Sequence, residues 1–101
     1  MSTYVFINGR LFEYTRTRGV HVKDMQLDPE VVGRVIARFR STRGLTQEVL
    51  SGLSNIGRTH LSAIERGERK PTLETLYRIS CALDVPMSVI VVAIEEELEK
   101  N

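Results

Sequence analysis

Residues 46–76 read TQEVLSGLSNIGRTHLSAIERGERKPTLETL, and this stretch decides the fold. Thr46-Gln47-Glu48 opens a short helix carrying Val49, Leu50 and Leu53. Ser54-Asn55-Ile56-Gly57 is a tight turn with an apolar plug at Ile56. Arg58 to Arg66 forms the next helix, with Leu61 and Ile64 inward at i, i+3 spacing. Gly67 stops it, and after Glu68-Arg69-Lys70-Pro71 the hydroxyl of Thr72 caps a further helix. That helix sets Leu73, Leu76, Ile79, Ser80 and Leu83 on one side until Asp84-Val85-Pro86 breaks it.

Upstream, Asp28-Pro29-Glu30 starts a helix, since Asp accepts from orphan N–H groups and Pro at the first position loses no bond. Val32, Val35, Ile36 and Phe39 follow as one stripe, and Gly44 ends it. Downstream, a last helix spans residues 87–99, with Met87, Ile90, Val91, Ile94 and Leu98 as its core stripe. Val89, Val92 and Ala93 widen the apolar arc beyond one face, which predicts a second neighbour, a symmetry-related copy. Residues 1–27 change period. Thr3–Ile7 and Arg10–Tyr14 are rich in β-branched and aromatic residues around Asn8-Gly9, a type I′ hairpin signal. A two-residue turn sets Val5 opposite Phe12 and Phe6 opposite Leu11. Residues 15–27 suit a turn and a third short strand. A lone hairpin is marginal in water, so this one needs cover. Val5 and Phe12 are expected to join a dimer interface with Val89, Val92 and Ala93; the alternative is that the hairpin caps its own domain.

With 101 residues and 42% apolar content, the chain suits one small globular domain. Net charge is only +1, but its distribution is informative. Residues 28–70 hold eight Lys/Arg against five acids, whereas residues 71–101 hold two against six. A basic middle and an acidic tail suggest one surface facing a polyanion and one end turned away. Cys81 is alone, so an intramolecular disulfide is excluded and a cysteine zinc site lacks ligands. His21 and His60 lie far apart, and no nucleophile sits near a plausible base, so no enzyme, metal or cofactor is expected. The start MSTYVFINGR is not a secretory signal, and Val89–Ile94 falls far below the ~20 apolar residues of a membrane span. A cytoplasmic protein with no membrane partner and no evident small-molecule ligand is expected.

Two short helices joined by a tight turn describe a helix-turn-helix, here over residues 46–66. The run Thr46-Gln47-Glu48, Ser54, Arg58-Thr59-His60-Leu61-Ser62, Ile64-Glu65-Arg66-Gly67, Arg69-Lys70-Pro71-Thr72-Leu73-Glu74-Thr75-Leu76 closely resembles the Cro/phage-repressor (Xre-type) DNA-binding domain family. The resemblance covers nearly all of residues 30–92. It implies an all-α, five-helix, lambda-repressor-like DNA-binding domain over 28–101, with residues 1–27 as an N-terminal β-hairpin extension outside it. Ser51, Asn55 and Gly57 depart from the usual Ala, Gly and polar cap, and Gly52 inside a helix costs about 1 kcal/mol relative to Ala.

With Leu61 and Ile64 buried, Arg58, Thr59, Ser62, Ala63 and Arg66 are expected to point outward. The family reads bases from the first, second and sixth positions of this helix, which implies Arg58, Thr59 and Ala63; His60 and Ser62 are further candidates. Arginine suits guanine O6 and N7, threonine and alanine a thymine methyl. The resemblance assigns phosphate contacts to Gln47, Arg66, Arg69 and Lys70, which position the domain without reading sequence. It also pairs Glu65 with Arg40 as a structural ion pair. The expected function is a homodimeric transcriptional regulator, a repressor by occupancy, on a palindromic double-stranded DNA operator. The alternative is an antitoxin or accessory subunit that uses the domain to bind protein.

Overall fold

In the computed structural model, which describes residues 2–7, 9–15 and 25–100, the chain follows the order β1 (Ser2–Ile7), β2 (Arg10–Thr15), α1 (Pro29–Thr42), α2 (Gln47–Ser54), α3 (Arg58–Glu65), α4 (Leu73–Leu83) and α5 (Met87–Lys100). Three helices start on side-chain caps. Asp28 accepts from the Glu30 N–H at 2.9 Å, Thr46 from Val49 at 3.1 Å and Thr72 from Thr75 at 3.1 Å. Helices α2 and α4 end alike, on the left-handed residues Asn55 and Asp84. The N–H groups of Ile56 and Val85 then return to the carbonyls of Ser51 and Ser80. Both Ile56 and Val85 pack half-buried on the core, the apolar contact that accompanies this cap.

All five helices supply the core, through Val32, Val35 and Ile36, then Leu50, Leu61 and Ile64, then Leu76, Ile79 and Leu83, and finally Ile90 and Ile94. Some apolar residues lie elsewhere than the sequence suggested. On α2, Val49 and Leu53 are exposed and only Leu50 faces inward; Leu73 is 72% exposed at the start of α4. On α5 the inward face runs through Ile90, Ala93 and Ile94. Ala93, expected at a dimer interface, is mostly buried in the monomer core, because it lies i+3 from Ile90 on the same helix face, and only its edge reaches the cleft beside Val89 and Val92. Val91 moves outward in exchange, and Val89 and Val92 are exposed.

The hairpin pairs antiparallel with Val5 opposite Phe12 and Phe6 opposite Leu11. Gly9 takes φ +75; Asn8, the other half of the turn signal, lies outside the described residues. So do residues 16–24, which include His21 and most of the segment where a third strand was expected.

Two contacts fix α3 against its neighbours. Helix α1 crosses the end of α3 at Gly33, where a Cβ would stand 2.3 Å from the Ile64 carbonyl oxygen and 2.6 Å from that of Glu65. Only a residue without a side chain allows that approach. About two turns further along α1, Arg40 reaches the same helix end. Its Nε donates to Glu65 Oε2 at 2.7 Å, its Nη2 to Oε1 at 2.9 Å and its Nη1 to the Leu45 carbonyl at 2.8 Å. Gln47 Nε2 on α2 donates to Glu65 Oε1 at 2.9 Å. The hydrogen bonds to the Glu65 carboxylate raise the Arg40 pKa above its ordinary value. A second pair, Arg38 with Glu97 at 3.1 Å, ties α1 to α5 near the surface.

Glycines in two helices are expected to respond with opposite signs. Gly33→Ala forces α1 off α3 and should cost about 1–3 kcal/mol. Gly52→Ala meets open space and should stabilise by about 0.5–1 kcal/mol, through helix propensity alone. Urea unfolding of both variants checks the pair. The Arg40–Glu65 bridge should behave as a sheltered pair, with side chains 18% and 5% exposed. Arg40→Met should cost on the order of 3 kcal/mol by stranding a carboxylate, and adding Glu65→Leu should recover most of the loss.

Candidate nucleic-acid interface

Gly57 begins α3 without a side-chain cap, so the first residues of that helix carry the exposed chemistry. Arg58 and Thr59 are exposed and His60 is half-buried. Among the described residues none of the three side chains has a hydrogen-bond partner within the chain. Leu61 and Ile64 anchor the opposite face in the core. The tie from Arg40 and Gln47 to Glu65 fixes the other end of α3. Helix α3 is thus held at its end and along one side, while Arg58 and Thr59 project from its start.

The remaining expected contacts divide. Ala63 is corrected: it is 9% exposed and turned into the domain, because it neighbours Ile64 and lies two positions past Leu61 on an eight-residue helix whose inward face is broad. Ser62 is half-buried, and its hydroxyl accepts from Arg66 Nη1. Arg66 also pairs with Glu68, Nε to Oε2 at 2.7 Å and Nη2 to Oε1 at 3.0 Å. That pairing raises the Arg66 pKa and lowers that of Glu68. Arg66 must leave Glu68 before it can meet a phosphate. The sequence reading missed this competition, although the two opposite charges stand only two positions apart across the end of α3.

Arg69 and Lys70 are exposed in the loop that follows. The loop is pinned at its root. Gly67 takes φ +79, and a Cβ there would stand 2.9 Å from the Glu30 Cα, so the loop lies against the first turn of α1. The Glu68 N–H donates to the Ala63 carbonyl at 2.9 Å. Arg69 and Lys70 consequently leave the body on the same side as the end of α3. Gln47 is half-buried with its amide nitrogen committed to Glu65, so it acts within the fold as a brace between α2 and α3.

Among the described residues no group of three His, Cys, Asp or Glu side chains could hold a metal ion. No single helix there is long and apolar enough to cross a membrane. The chemistry on offer is hydrogen bonding and positive charge, displayed by one short helix and one loop.

The helix-turn-helix family model matches residues 36–90. The uncharacterized HTH-type transcriptional regulator y4dJ of Sinorhizobium fredii is 40% identical over 67 residues, which cover 66% of this chain and 87% of that protein. The immunity repressor protein of Bacillus phage phi105 is 38% identical over 74 residues, covering 69% of this chain and 51% of that repressor, so the chain spans about half its length. Among solved structures, the restriction-modification controller protein C.Esp1396I is similar with a TM-score of 0.69 and 34% identity, over 76% of this chain and 100% of its own. The hairpin contributes nothing to the match with the family model, which starts within α1. With five helices in this order, α3 displayed as described and this match over more than half its length, the chain belongs to the helix-turn-helix family of the Xre and phage-repressor type, a family of DNA-binding transcriptional regulators.

Proposed function

We propose that this chain acts in the cytoplasm as a homodimer that occupies a palindromic DNA operator, reading bases with α3 and holding phosphates with the loop after it. The observation that carries this reading is the pairing of exposed, uncommitted donors with a rigid base. Arg58 and Thr59 project from the start of a helix whose end is held by the Arg40–Glu65–Gln47 tie. A side chain that must meet a base edge within hydrogen-bond distance needs such a support, since loose positioning forfeits discrimination. His60 and Ser62 flank the readers. Arg69 and Lys70 supply phosphate attraction, with Arg66 joining once it exchanges Glu68 for DNA, and Gln47, bound to Glu65, contributing to a phosphate contact only through the part of its side chain left accessible.

The names of the similar proteins support a regulator: a transcriptional regulator, a phage immunity repressor and a restriction-modification controller. Val89 and Val92, exposed at 43% and 44% on α5, provide the apolar face for a two-fold contact. The acidic end of α5 then lies away from the DNA, where repulsion from phosphate is least.

Reading and holding separate by experiment. Arg58→Ala should cost about 1–3 kcal/mol per half-site on the cognate operator and far less on random DNA. Lys70→Ala should weaken both DNAs alike and lower the salt slope by about one per half-site. Salt titrations of both variants on both DNAs measure the two effects. An equal loss for Arg58→Ala on operator and random DNA excludes a reading role. Half-site centres should lie ~34 Å apart, as a two-fold dimer requires on one face of the duplex, which selection of bound sites from random DNA will show.

A further inference from the structure

The DNA-binding reading leaves the hairpin without a role. Its two faces differ. Tyr4, Phe6 and Leu11 share one face through the Phe6–Leu11 pairing, and all three are more than 60% exposed. The other face carries Arg10 and Phe12, which line a cleft together with Phe39 of α1 and Val89, Val92 and Glu96 of α5. The cleft has a volume of about 420 Å³, and the described residues leave it open. Ser88 and Ala93 complete the lining, so five of its eight residues are apolar, and displacing water from apolar walls favours an occupant.

The charges indicate which occupant. Arg10 and Glu96 both stand at the cleft and both are exposed. Arg10 lies over the Phe12 ring at 5.2 Å, and among the described residues it forms no ion pair with Glu96 or any other acid. An apolar cleft bearing one unmatched positive and one unmatched negative group is complementary to itself under a two-fold axis, which generates each contact twice. The cleft is also continuous with the proposed α5 contact, since Val89 and Val92 belong to both.

We propose that the occupant is a second copy of this chain: the hairpin of each protomer clasps α5 of the other, with Arg10 meeting the partner's Glu96. This rests on the α5 dimer proposed above and assigns the hairpin the role of locking it. Insertion from the second copy covers the Val89–Val92 face and the inner face of the hairpin together.

Charge reversal tests the clasp. Arg10→Glu and Glu96→Arg, each alone, should raise the dimer dissociation constant about tenfold or more, because like charges then face each other twice. Mixing the two variants should restore tight association. In the mixed dimer the carboxylate introduced by Arg10→Glu faces the guanidinium introduced by Glu96→Arg at one contact. At the other contact the unaltered Arg10 of one chain faces the unaltered Glu96 of the other. Native mass spectrometry should therefore show mixed dimers well above the about one-half share expected by chance. The chain carrying both reversals should dimerise like wild type. If both single variants dimerise like wild type and mix by chance, the clasp is overturned while the α5 dimer stands. Association rescued only within the doubly reversed chain, with chance mixing of the singles, also overturns it by placing the pair within one protomer. A wild-type dimer that binds the apolar dye anilinonaphthalene sulfonate in this cleft, with binding lost in Val92→Glu, overturns it too. A monomeric wild type at micromolar concentration removes the α5 dimer and the clasp together.

Discussion

Glu65 closes α3 with its side chain 5% exposed, and its two oxygens accept from Arg40 on α1 and Gln47 on α2. Three helices therefore meet at one carboxylate. A charge taken out of water is tolerated only when its lone pairs are matched and its charge is opposed, and here the guanidinium does both in a two-bond fork. Arg40 turns its third nitrogen, Nη1, to the Leu45 carbonyl, which draws the α1–α2 connection into the same node. This node, together with Leu61 and Ile64 in the core, sets the orientation of α3 and with it the direction in which Arg58 and Thr59 point.

Apolar packing alone would hold α3 less specifically. Leu61 and Ile64 bury the helix, yet the hydrophobic effect is non-directional and tolerates small rotations. The close approach at Gly33 and the fork at Glu65 remove that freedom at the same helix end. The Gly67 contact with Glu30 then carries the constraint into the loop bearing Arg69 and Lys70. The start of α3 and the Arg69–Lys70 loop are thus fixed relative to one another through the first turn and the last turn of α1.

Charge is distributed to match. Exposed arginines and a lysine gather around α3 and its loop, while Glu95, Glu96 and Glu99 are exposed near the end of α5. Nearly neutral in total, the chain is polar in the electrostatic sense, which orients it toward a polyanion before any contact forms. Glu68 tempers the positive side by holding Arg66 in the free protein. An anion that took Arg66 would exchange one charge-assisted pair for another, so the pair with Glu68 offsets part of its charge.

The sequence by itself determined the helix count and limits, because caps, breakers and apolar periods are local signals: Asp28, Thr46 and Thr72 start helices in the structure where their side chains can cap. It also determined the hairpin register, since a two-residue turn leaves no other pairing. The motif around residues 46–76 was specific enough to name the family and to place Arg58 at the start of the third helix. Tertiary structure alone decided which apolar residues face inward where the arc is wide. Ala93 and Ala63 turned in, and Val49, Leu53, Leu73 and Val91 stayed out, because a helix with apolar residues on several sides does not say where its neighbour lies. Tertiary structure also decided that Arg66 meets Glu68, that Gly33 is a contact rather than a weak helix position, and that hairpin and α5 enclose a common cleft. Each of these is a meeting of distant segments or competing partners, set by packing in three dimensions and carried by no periodicity along the chain.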